Sequence, residues 1–128
     1  MLIRQFLAFA FVGAIGTGVH YAVLMLLVYS QLAPVPFATT IGFAAGAAVN
    51  YTLNYTFTFD SRRPHLQAVP MFLTVAAIGA VLNVVIVWVL VSAAGLHFLL
   101  AQVAATAVVL LWNFSANRAW TFKGSKGR

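Results

Sequence analysis

"NYTLNYTFTF" occupies residues 50–59 and "NFSANRAWTF" residues 113–122, sixty-three positions further on. In each, an asparagine is followed four residues later by another, and then by an aromatic-Thr-Phe run. Four-residue spacing puts Asn50 with Asn54, and Asn113 with Asn117, on one helix face about one turn apart. Each side-chain amide brings two donors and an acceptor. Whatever surrounds these segments must answer that hydrogen-bonding demand, so the first question is what solvates the rest of the chain.

The rest is overwhelmingly apolar. Of 128 residues 63% are hydrophobic and 6% charged, and mean hydropathy is +1.00. A soluble domain of this size keeps much of its surface wet and cannot hide so much apolar material, so lipid must be the solvent. Seven Lys and Arg against one acid give +6. These charges are sparse and sit at turns and ends, where they form no phosphate-tracking face, so no nucleic acid is expected as a partner. The absence of cysteine excludes disulfides, thiolate metal sites and cysteine nucleophiles, and Asp60 as sole carboxylate excludes paired-acid catalysis. His20, His65 and His97 have no recognisable metal-ligand spacing. The expectation is a non-enzyme with no catalytic residue, metal or cofactor.

The apolar runs read as four transmembrane helices, over about 6–30, 37–57, 67–93 and 98–120, each near or above the roughly 20 residues that cross a hydrocarbon core. Prolines in "LAPVPF" (32–37), the polar "DSRRPH" (60–65) and the small-residue turn "AAGLH" (93–97) separate them. Arg4, Arg62, Arg63, Arg118, Lys123, Lys126 and Arg128 all fall at the N-terminus, in the middle turn or at the C-terminus, and the other two turns carry no Lys or Arg. The positive-inside bias then places both termini of this multi-pass chain on the cytoplasmic side of the cell (inner) membrane.

The sixty-three-residue offset extends beyond the asparagines. It aligns Phe9 with Phe72, Val12 with Val75, and "AIG" at 14–16 with "AIG" at 77–79, without a gap. The fold expected is therefore all-α: one four-helix membrane domain over residues 1–128, built from two parallel helical-hairpin repeats at about 4–61 and 67–124. Chance similarity between two apolar hairpins is the competing reading.

Several polar groups stand out against this background. The four asparagines either lock hairpins together or meet a polar ligand. His20, deep in the first span, aligns with Asn83 in the third, giving two polar groups at mid-membrane depth. The imidazole is either a neutral group bonded to a neighbour or a proton- or ligand-handling one. Arg4, Arg62, Arg63 and Arg118 can form a basic collar able to grip a phosphate at headgroup depth, or can simply mark topology and meet anionic membrane lipids. Arg118 directly follows Asn117 where the first copy has Tyr55, which makes residues 113–118 the sharper phosphate candidate. Tyr55, Phe57, Phe59, Trp120 and Phe122 read as an interfacial aromatic belt. "GFAAG" (42–46) and "GAIGTG" (13–18) are close-packing devices, within the monomer or in a homodimer.

Taken together, "FAFVGAIGTGVHY", "NYTLNYTFTF" and "NFSANRAWTF" on four spans resemble the GtrA-like family across almost the whole chain. Asn113, Phe114, Asn117, Arg118, Trp120 and Phe122 carry the resemblance most specifically. It implies a cell-surface polysaccharide context, with the chain flipping a polyprenyl-phosphate-linked sugar or assisting a glycosyltransferase as a membrane adaptor. His20 stands where the resemblance implies an acidic or other polar residue, which argues against a carboxylate-based mechanism. On the flipping reading, Arg118 with Arg4 or Arg63 captures phosphate, Asn50, Asn54, Asn113 and Asn117 bond sugar hydroxyls, and His20 with Asn83 provides a polar step. A proton-coupled exporter of small molecules would need a membrane carboxylate that the sequence lacks.

Overall fold

The computed structural model describes residues 2–123, and Lys126 and Arg128 lie outside them. Four α-helices follow in order: α1 (Leu2–Tyr29), α2 (Val35–Leu53), α3 (His65–Ser92) and α4 (Phe98–Ala116). α2 runs directly into a π-helical turn, π1 (Asn54–Thr58), and α4 into a second, π2 (Asn117–Thr121). Among the described residues there is no strand. The expected helix count holds, with one difference. Leu2–Tyr29, His65–Ser92 and Phe98–Thr121 are long and apolar enough to cross a membrane, but the second helix is not among them. It carries Thr39, Thr40, Asn50 and Thr52 along its length, which dilute its hydropathy.

The helix ends follow from local chemistry. Gln31 adopts φ 61, and the N–H groups of Gln31 and Leu32 donate to the carbonyls of Val28 and Leu27, both at 3.0 Å. That is the double bond by which a left-handed residue closes a helix C-terminus. α2 starts after Pro34 with Pro36 in its first turn, where a missing donor does little harm. α3 starts after Pro64. α4 starts after His97, whose Nδ1 accepts from the Leu99 N–H at 3.1 Å.

The chain divides after Asp60 into two compact units. In the first, α1 and α2 form a hairpin whose contact is nearly backbone on backbone. A Cβ at Gly46 would lie 2.5 Å from the Gly16 carbonyl oxygen, and one at Gly42 would lie 2.6 Å from that of His20. Both glycines of "GFAAG" thus face α1 of the same chain, and of the glycines in "GAIGTG" only Gly16 is in that contact, since Gly13 and Gly18 have nothing within 4 Å. Between lipid-solvated helices no hydrophobic force drives association, so this close approach and its dispersion contacts supply the attraction.

In the second unit α3 packs on α4. Gly79 is kept open by Asn113 Oδ1, 2.8 Å from where its Cβ would stand, and by Val109 Cγ1 at 3.3 Å. Ala68, Phe72, Val75, Ala101, Ala105 and Phe114 are buried in the same unit. Much of the remaining surface is apolar and open, with Tyr29 80%, Leu66 93% and Val103 68% exposed, as lipid solvation requires.

Replacing Gly46 by Ala is expected to destabilise the protein by about 1–3 kcal/mol, since the new methyl meets rigid backbone. Gly13→Ala has open space and should be neutral or slightly stabilising, within about 1 kcal/mol. Unfolding of the purified variants in mixed micelles, followed by circular dichroism, checks both.

Candidate functional site

The Asn-bearing end of each hairpin is where polar groups become buried. In the first unit π1 closes with an i→i+5 bond from the Phe59 N–H to the Asn54 carbonyl at 2.9 Å. This wider turn keeps residues four and five beyond Asn54 on its own face, and Asn54, Thr58 and Phe59 are all buried. Asn54 Nδ2 donates to Asn50 Oδ1 at 2.6 Å, a ladder along the helix. Gln5 Nε2 donates to the Thr58 carbonyl at 3.2 Å, and the Phe59 ring tilts against Phe9 at 6.0 Å.

The second unit repeats this arrangement with its own residues. Phe122 N–H donates to the Asn117 carbonyl at 2.8 Å, Asn117, Thr121 and Phe122 are buried, and Phe122 meets Phe72 at 6.2 Å. Phe59 and Phe122, expected in an interfacial belt, are therefore core residues. The π turn swings them inward, while Phe57 remains 75% exposed and Trp120 46%.

Buried oxygens without hydrogen-bond partners among the described residues set these ends apart: Asn54 Oδ1 and Thr58 Oγ1 in the first unit, and Asn113 Oδ1, Asn117 Oδ1 and Thr121 Oγ1 in the second. Leaving one such group unmade costs about 1–3 kcal/mol. Each such group in a native structure calls for an explanation.

The arginines divide by role. Arg63 is bound to the end of π2: Nε donates to the Thr121 carbonyl at 2.9 Å, Nη2 to the Trp120 carbonyl at 3.0 Å and Nη1 to Gln67 Oε1 at 3.4 Å. A cation there satisfies carbonyls that the helix leaves open and faces the negative end of its dipole. Arg63, one of the cations expected to capture phosphate, thus also caps the end of π2. Arg118, in the first turn of π2, and Arg4, in the first turn of α1, are both exposed at the Asn-bearing ends of their hairpins.

His20 and Asn83, expected at mid-membrane depth, each find a partner inside their own hairpin. His20 Nε2 lies 3.2 Å from Thr39 Oγ1, with the ring edge-on to Phe43 at 6.1 Å. Asn83 Oδ1 accepts from Gln102 Nε2 at 2.8 Å, and the same nitrogen reaches Thr106 Oγ1 at 3.1 Å. Thr39 and Gln102 were missed in sequence. They too are sixty-three apart, so the offset that aligned His20 with Asn83 would have found them. Thr58 and Thr121 were likewise quoted in the motif and not read as polar groups of the site.

The chain matches the family model of the GtrA/DPMS transmembrane domain over residues 8–122. A search of curated proteins finds no match.

Asn117→Leu removes a buried oxygen that has no partner, so it should leave stability within about 1 kcal/mol of the parent. Arg63→Ala opens the Thr121 carbonyl and leaves that of Trp120 only the Lys123 N–H at 3.4 Å, and should destabilise by about 1–3 kcal/mol. Chemical unfolding in detergent micelles measures both.

Proposed function

The chain belongs to the GtrA/DPMS transmembrane-domain family, and on that premise we propose that it carries a polyprenyl-phosphate-linked sugar across the cytoplasmic membrane. Family membership makes it a membrane domain of glycan and polysaccharide synthesis. The finer reading rests on one observation, the buried oxygens of Asn54, Thr58, Asn113, Asn117 and Thr121 that have no partner among the described residues.

The physical task is narrow. The isoprenoid tail can stay in lipid, so the protein need only lower the barrier for the phosphate and the sugar. Oxygens that lack donors suit sugar hydroxyls, which bring donors; a phosphodiester brings none. The phosphate therefore goes to guanidinium groups, which bond two oxygens at once. In this reading Arg118 serves the second hairpin and Arg4 the first, each exposed at the Asn-bearing end of its own hairpin, and Arg63 supports Arg118 by fixing the carbonyl end of π2. The oxygens are closed off in this state, so loading requires the π turns to open. No bond is made or broken in the process, and the chain acts without catalysis.

The two hairpins are copies of one unit in this reading. Every helix and π-turn boundary of the second is that of the first displaced by sixty-three residues. Buried pairs follow the same offset: Phe9 with Phe72, Val12 with Val75, Gly16 with Gly79, Ala38 with Ala101, Asn54 with Asn117, and Phe59 with Phe122. Arg4 in the first hairpin, and Arg63, Arg118 and Lys123 in the second, sit at the Asn-bearing ends, which the positive-inside bias makes cytoplasmic.

In proteoliposomes, Arg118→Ala and Asn117→Leu should each slow translocation of a polyprenyl-phosphate hexose by about tenfold or more, the equivalent of roughly 1.4 kcal/mol of lost stabilisation at the barrier. Rates equal to the parent's would overturn these residue assignments.

A further inference from the structure

Toward the α3–α4 turn, away from the asparagines and arginines, the second hairpin carries an open groove of about 460 Å³ lined by Asn83, Trp88, Ser92, Phe98 and Gln102 among others. Its volume falls within the span of small-molecule clefts, about 300–1,000 Å³. From Asn83 to Ser92 it extends nine residues along α3, about 14 Å at helical rise. It thus runs from the end of the helix to near mid-membrane depth.

An interfacial anchor would account for Trp88 and Phe98 alone. It would not account for the paired amides beside them. Gln102 Nε2 is committed to Asn83 Oδ1 and Thr106 Oγ1, which leaves Gln102 Oε1 as an acceptor and Asn83 Nδ2 as a donor with no partner among the described residues. In hydrocarbon such groups call for a polar ligand edge. An isoprenoid chain offers none. A pyranose ring offers both an apolar C–H face for the exposed indole of Trp88 and vicinal hydroxyls that donate to Oε1 and accept from Nδ2.

The matching positions of the first hairpin are His20, Met25, Tyr29, Val35 and Thr39, which include neither a Trp nor an amide. The combination therefore belongs to the second hairpin. We propose that this groove is a sugar-binding subsite on the side of the membrane opposite the arginines, where the head group rests before release. This rests on the translocation reading above and assigns it a second station.

The test uses the full chain in lipid nanodiscs free of sugar detergents, with two photoreactive probes: a polyprenyl-phosphate hexose bearing a diazirine on the sugar, and one bearing it on the isoprenoid tail. Mass spectrometry should find the sugar probe on peptides spanning residues 83–102, and the tail probe not there. Asn83→Leu and Trp88→Ala should each lower that labelling by about tenfold, equivalent to a tenfold weaker site, and Trp88→Tyr should restore most of it. Labelling near residues 113–118 should persist in all three, which shows that the variants are folded. Equal groove labelling by the tail probe, no groove labelling by the sugar probe, or labelling indifferent to the substitutions would each overturn the inference. A groove that captures sugar in a chain that moves no head group would instead leave the inference standing and fail the translocation reading.

Discussion

Hydrocarbon offers no hydrogen-bond partner, and that constraint organises this molecule. Each polar group placed among the helices must be answered from within its own hairpin, or it stands at a cost of several kcal/mol in lipid. Thr40 and Thr74 answer it locally, each hydroxyl donating at 2.8 Å to a carbonyl one turn back. His20 and Asn83 answer it across the hairpin, and Arg63 answers it for the carbonyls at the end of π2. Against this economy the unpartnered oxygens at π1 and π2 are exceptions that both hairpins share, which is why the functional reading is built on them.

The differences between the hairpins are as informative as their agreement. The first is clasped by Gly42 and Gly46 lying on α1, while the second has Ala105 and Val109 at the corresponding places and fills its interface with side chains. The first closes its asparagine ladder through Asn50 and Asn54, while in the second Asn113 Oδ1 lies beside Gly79 without a partner. Tyr55 gives way to Arg118, and Met25 to Trp88. The last two changes give the second hairpin an exposed cation and an exposed indole where the first has a phenol and a thioether.

Much of this architecture was legible in the sequence. Proline-bearing turns and long uncharged runs marked the helices to within a few residues, because helix length in a membrane is set by bilayer thickness. The offset of the two asparagine motifs placed Asn54 and Asn117 at equivalent positions. The π turns were not legible: "NYTFT" and "NRAWT" continue an α-helical pattern, and the extra residue in the turn is revealed only by burial of Thr58 with Phe59 and of Thr121 with Phe122. For the same reason those phenylalanines read as a surface belt. The capping bonds of Arg63 were not legible either, because sequence gives the charge of a turn residue but not the carbonyls that lie within its reach.

The central claim is that this chain alone lowers the barrier for a lipid-linked head group, which separates it from a membrane adaptor that only recruits a glycosyltransferase. Purified chain reconstituted into sealed, enzyme-free vesicles, with polyprenyl-phosphate hexose in both leaflets, tests it directly. Accessibility of the outer-leaflet and then the inner-leaflet head group to an impermeant sugar-oxidising reagent is followed over time. The account predicts that the protected half becomes reactive at a rate that scales with protein copies per vesicle. Protection that persists as in protein-free vesicles would contradict it.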